Sequence, residues 1–167
     1  MFFVIKILRK IVQILQTDIS PDQLAYGFAM GLFLGLVPGI LFKSFFFVLV
    51  MILRVNVGTA FMGSALFAIL GFAIAPLSDS LGYFVLNLDF LASFWTSLYN
   101  TPIVPFSKFN NTIVMGNIVL SIILFIPVSI GVKKFIPYYR RRWRDKVAQL
   151  KIVKILTAGK ISAMIFE

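Results

Sequence analysis

From Val55 to Ser78, and again from Phe109 to Val132, the chain carries no charged residue. Each run is about 24 residues long; as a helix it extends roughly 36 Å, enough to cross a hydrocarbon core of ~30 Å. A backbone surrounded by lipid has to satisfy its own hydrogen bonds, and a single continuous run does so as a helix. Composition agrees. Of the 167 residues 60% are hydrophobic and 13% charged, and the mean hydropathy is +0.97; an ordinary soluble domain has roughly 45–50% apolar and about 25% charged residues. The expected fold class is an all-α integral membrane protein, with a short helical hairpin, two transmembrane helices and interfacial amphipathic helices at both ends.

Ahead of the first run, four glycines stand at four-residue spacing: Gly27, Gly31, Gly35 and Gly39, in GFAMGLFLGLVPG. In a soluble helix each would cost roughly 1 kcal/mol relative to alanine. Inside a bilayer, small residues on one row let two helix backbones approach closely, so the ladder reads as a glycine zipper. Ser20-Pro21-Asp22-Gln23 starts this helix as a capping box with proline at its first position, and Pro38-Gly39 ends it. A second short apolar stretch, Ile40 to Leu53, ends at Arg54. Two arrangements fit: a re-entrant hairpin with its apex at Pro38-Gly39, or two short spans with Lys43 at the far interface. Both return the chain to the side from which it started.

The segment from about Val57 to Ala75 repeats the habit. Ala60, Ser64 and Ala68 lie on one row and Gly63, Gly71 and Ala75 on nearby ones, a face able to receive the ladder. Pro76 and the polar Ser78-Asp79-Ser80 are expected to end it. Leu81 to Tyr99 carries Asn87, Asp89, Trp95 and Tyr99 and reads as an interfacial helix lying on, or dipping into, the outer leaflet. If it crossed, the arginine-rich end of the chain would lie outside, against the positive-inside rule. The last span starts at Asn110-Asn111-Thr112 and runs to about Val132. Thr112, Gly116, Asn117 and Ser121 give it small and polar positions at helical spacing.

The ends differ in character. In residues 1–16 the polar positions Lys6, Arg9, Lys10, Gln13 and Gln16 fall on one helical face, the pattern of an interfacial helix. Its basic residues lie within the apolar stretch rather than ahead of it, unlike a cleavable signal peptide. After Pro137 the chain turns basic and aromatic. The division is therefore 1–19 interfacial helix, 20–137 membrane domain and 138–167 basic amphipathic tail. The net charge of +10 concentrates at these ends, which favours anionic lipid surfaces over nucleic acid. Lys6, Arg9, Lys10, Arg140, Arg141, Arg142 and Arg144 are the expected headgroup contacts, and both termini are placed in the cytoplasm.

Chemistry is scarce. The chain has no cysteine and no histidine, which removes thiolate sites and the commonest general base and metal ligand. No metal site, cofactor or enzymatic activity is expected. The charges near the membrane are Lys43, Arg54, Asp79 and Asp89. Lys43 with Asp79 or Asp89 could line a polar path, because a charge in lipid requires a partner or a wet cavity. Alternatively Lys43 snorkels at a hairpin tip, Arg54 marks the cytoplasmic border and both aspartates sit in the outer interface.

The order of these motifs resembles a bacterial membrane family, domain of unknown function 2062. The resemblance rests on Ser20-Pro21, the alanine-glycine helix Ala25 to Gly35, the break at Pro38-Gly39 and the turn Arg54-Val55-Asn56. It covers roughly residues 20–120, and LYNTP and FNNTIVMGN are similar to one subfamily. Many relatives carry Asn-Pro where this chain has Ala75-Pro76, so no role of that asparagine carries over. The resemblance implies a multipass protein of the bacterial inner membrane with a larger envelope protein as partner, and no established chemistry.

The expected role is thus a scaffold or accessory subunit that binds an envelope protein, or a second copy of itself, through the glycine face. Lipid or envelope-component transport is one setting for it. The alternative is a small oligomeric transporter or channel with Lys43 and Asp79 or Asp89 along its path. If the ladder is consumed by the helix Val57–Ala75, the partner surface has to be sought on Thr112–Val132 or the outer segment.

Overall fold

Residues 19–142 are described by the computed structural model. Helix α1 (Pro21–Leu36) starts where Ser20 Oγ accepts a hydrogen bond from the Gln23 amide at 3.3 Å. That is one half of the capping box, with Pro21 at the first helical position. The chain breaks at Pro38-Gly39, where Gly39 has φ +96°, and reverses into α2 (Ile40–Ile52). A left-handed residue, Arg54 at φ 52°, turns it again. Asn56 then caps α3 (Val57–Leu86), accepting from the Thr59 amide at 2.8 Å. A 3-10 turn (Asp89–Leu91), the short α4 (Ala92–Tyr99) and a second 3-10 turn (Val104–Ser107) lead to α5 (Thr112–Arg142). Asn111 caps α5, its side-chain oxygen accepting from Ile113 at 3.0 Å and Val114 at 3.2 Å.

Helices α1, α3 and α5 pack as a three-helix core, and α2 lies against its side. The Asn56 amide donates to the Gln23 carbonyl, Gly31 meets Gly63 and Leu36 meets Gly71, so α1 and α3 run parallel. Ser78 meets Gly116 and Gly82 meets Thr112, so α5 runs antiparallel to both. The starts of α1 and α3 and the ends of α2 and α5 therefore share one end of the bundle, the base.

The bundle has an apolar core, yet it also buries polar side chains and leaves large apolar ones outside. Thr59, Ser78, Asn117, Ser121 and Ser129 are buried, while Phe72 is 86% exposed and Ile69 70%. Two helices, α3 and α5, are long and apolar enough to cross a membrane. Only 17% of the most apolar window of α3 and 39% of that of α5 is buried, which is not how a soluble core helix is placed.

Three boundaries differ from the sequence reading. Pro76 and Ser78-Asp79-Ser80 do not end the third segment, since α3 runs on to Leu86. Leu81 to Tyr99 is not one interfacial helix: Leu81–Leu86 completes α3, and α4 starts only at Ala92. The last helix does not stop near Val132 but passes Pro127 and Pro137 to Arg142. The physical reason is shared. Prolines within membrane helices are tolerated because neighbouring helices and hydroxyl side chains support the backbone around them. Here Ser80 donates to Pro76 O and Ser129 to Phe125 O. The amphipathic helix of residues 1–19 and the tail beyond residue 142, with Lys6, Arg9, Lys10 and Arg144, lie outside the described residues but for Ile19.

Candidate functional site

The ladder is spent inside the bundle. A Cβ at Gly31 would stand 2.6 Å from the carbonyl carbon of Gly63 and from the Ser64 amide nitrogen. At Gly35 it would stand 2.5 Å from the Ser64 carbonyl oxygen, and at Gly27 2.6 Å from that of Asn56. Ala60 is fully buried here, Gly71 meets Leu36 at ordinary contact distance, and Ala68 lies on the rim with only its amide near Gly35. Gly39 is not part of this face. It is the turn glycine, its nearest foreign atom the Ser107 carbonyl oxygen 3.9 Å from a built Cβ. A partner cannot occupy Gly27, Gly31 or Gly35 while α3 does, so binding an envelope protein through the glycine face is corrected.

A second close crossing joins α3 and α5. Gly116 lies against the Ser78 carbonyl and Gly82 against that of Thr112, too tightly for a side chain at either glycine. This approach brings the Ser78 hydroxyl to 2.7 Å from Asn117 Oδ1, fully buried. One turn on, Ser121 Oγ is buried with no hydrogen-bond partner. Toward the end opposite the base, Thr112 Oγ1 donates to Asp79. The small and polar positions of α5 were visible in the sequence. Ser78, read there as a terminator, is their partner, and the signal for it was its place among small residues at helical spacing.

The candidate polar path does not assemble within one chain. Lys43, Asp79 and Asp89 are all exposed, and no ion pair joins Lys43 to either acid. The ion pair between described residues is Lys133–Asp22, at 2.7 Å near the base. Of the expected headgroup contacts, Arg141 and Arg142 are exposed at the end of α5. Arg140 is half-buried, and its Nη2 donates to the Ile19 carbonyl at 2.9 Å. It therefore ties the chain entering α1 to α5 and is not given over to headgroups alone. No group of three or more acidic, histidine or cysteine side chains that could hold a metal occurs among the described residues.

Beyond α3 the segment up to α5 packs lightly. Trp95 Nε1 donates to Val85 O at 3.3 Å, and Trp95 and Tyr99 gather around the buried Phe109. Phe90, Phe94 and Ile103 remain exposed.

Glycine crossings and a buried serine–asparagine bond close an all-helical bundle with apolar flanks and two helices able to span a membrane. The chain belongs to the family described as "Uncharacterized protein conserved in bacteria (DUF2062)", whose model matches residues 6–144. An uncharacterized protein of Treponema pallidum (strain Nichols) is 27% identical over 134 residues, covering 80% of this chain and 83% of its own length. No solved structure matches the chain.

Proposed function

We propose that this protein is a non-enzymatic scaffold or accessory subunit of the bacterial inner membrane that binds a larger envelope protein through its outer segment. The observation that carries the reading is the exposed Phe90, Phe94 and Ile103 on a segment that leaves the bundle beyond the polar triplet Ser78-Asp79-Ser80. At 30 residues, α3 is about 45 Å long, more than a ~30 Å hydrocarbon core requires. Its surplus lifts the aromatic residues toward the outer interface, where apolar surface gains most from a protein cover.

The distribution of charge supports the orientation. Among the described residues the base gathers Arg54, Lys133, Lys134, Arg140, Arg141 and Arg142 against one acid, Asp22, whereas the far end balances Lys43 and Lys108 with Asp79 and Asp89. An excess of cations on one side marks the cytoplasmic face, so both termini are cytoplasmic. The alternative of an oligomeric path through Lys43 and the aspartates lacks such support within one chain.

A photo-crosslinking side chain at Phe90 or Phe94 in the native membrane tests the reading, with the same probe at Phe72 as the lipid-facing reference. The outer positions should give one protein adduct that also co-purifies in mild detergent and is lost with Phe94→Glu while the bundle's thermal midpoint holds. Adducts to lipid alone at all three positions would sink it.

A further inference from the structure

At the far end of the bundle the hairpin apex and the loop before α5 stand apart, enclosing a cleft of about 440 Å³. Pro38, Ile40, Phe106, Ile113 and Val114 form its apolar walls, and Ser107, Lys108 and Asn111 its polar side. Two backbone devices hold it open. Gly39 at φ +96° turns the apex, and Lys108 at φ 56° turns the loop that faces it. We propose that this cleft seats an anionic phospholipid of the outer leaflet, its phosphate on Lys108 and Asn111 and an acyl chain along Ile40, Phe106 and Ile113.

The donors are those without other work. Lys108 is exposed and, among the described residues, in no ion pair. The Asn111 oxygen is committed to capping α5, which leaves its NH2 group without a partner among the described residues. The Ser107 hydroxyl is taken, donating to Val104 O at 2.7 Å. Asp79 is the acid held at this end of α5, bound by Thr112 toward α3, whereas Ile113 and Val114 border the cleft. Because Asn111 already satisfies the first amides of α5, the positive charge comes from Lys108 rather than from the helix terminus.

The walls select the rest of the ligand. Ile40 is 77% exposed and Phe106 78%, apolar surface that a soluble phosphate would leave bare and an acyl chain covers. Two other clefts lack one half of this chemistry. The one between Tyr26 and Ile130 ends at Lys133, already paired with Asp22, and the one beneath Trp95 and Tyr99 has no charged wall.

The test uses the full chain carrying Trp95→Phe, Trp143→Phe and Phe106→Trp, reconstituted in phosphatidylcholine vesicles. Equal small fractions of brominated phosphatidylglycerol or brominated phosphatidylcholine are added, and quenching of the cleft tryptophan is read. One surface cation enriches an anionic lipid about fivefold, so phosphatidylglycerol should quench at correspondingly lower mole fraction. Lys108→Asn removes the charge with a residue that tolerates the left-handed turn and should abolish the difference; Lys108→Arg should keep it, and Lys134→Gln, at the base, should leave it unchanged. Equal quenching by the two lipids, or a preference that survives Lys108→Asn, would overturn the proposal. So would loss of the preference on adding soluble glycerol phosphate, which would mark a site for free phosphate.

Discussion

The Ser78 hydroxyl donates to Asn117 Oδ1 across 2.7 Å, in the one place where Gly116 lets α5 rest on the backbone of α3. The bond and the glycine are a single device: the missing side chain sets the distance, and the polar pair fixes the register along the two helices. In lipid, where apolar flanks are indifferent to rotation and sliding, such a pair supplies a specificity that burial cannot.

Gly116→Ala should therefore cost more than Asn117→Ala. The added methyl has to displace the rigid Ser78 backbone, an overpacking penalty of about 2–3 kcal/mol. The lost interhelical hydrogen bond is worth about 1 kcal/mol. Unfolding of both variants in mixed detergent micelles should rank them in that order; the reverse ranking would show that the polar pair dominates the crossing.

Ser121→Ala should leave stability unchanged or raise it by up to about 1 kcal/mol, because a buried hydroxyl without a partner is a cost in the folded state. The same micelle assay checks it, and a clear loss would reveal a bond made by that hydroxyl in the membrane.

Gly31→Ala and Gly131→Ala are the same substitution in opposite surroundings. The first drives a methyl into Gly63 of α3, whereas nothing lies within 4 Å of the second. Gly31→Ala should lose about 2–3 kcal/mol, and Gly131→Ala should be neutral or gain up to about 1 kcal/mol from helix propensity. Comparable losses at both sites would mean that Gly131 packs against another chain.

The Arg54-Val55-Asn56 turn separates two roles. Asn56→Ala should cost about 1 kcal/mol and speed exchange of the Thr59 amide, which the Asn56 side chain holds at 2.8 Å. Arg54→Gly should be stabilising by about 1 kcal/mol, since φ at this residue is 52°. Hydrogen exchange at the start of α3 together with micelle unfolding reads both.

Which segments are long and apolar enough to cross a membrane and where the chain breaks were legible in the sequence, because length and charge rules act on every segment alone. The break at Pro38-Gly39 and the capping residues Ser20 and Asn111 act within a few residues of themselves. The course of the helices through Pro76, Pro127 and Pro137 was not legible. A proline is a local stop signal that neighbouring helices and serine hydroxyls override, and a single sequence does not display its neighbours. The cleft at Lys108 was hidden for the same reason: Ile40 and Phe106 are far apart in the chain, and only the reversal at Gly39 brings the apex to the loop.

The parallel pairing of α1 with α3 also sets an order of assembly. As the chain emerges from its N-terminal side, the glycine face of α1 is made before the surface that covers it. The adjacent helix, α2, meets α1 elsewhere, through Phe46 against Phe33. A helix with a bare backbone groove is therefore made before Gly63, which fills that groove, has been added to the chain.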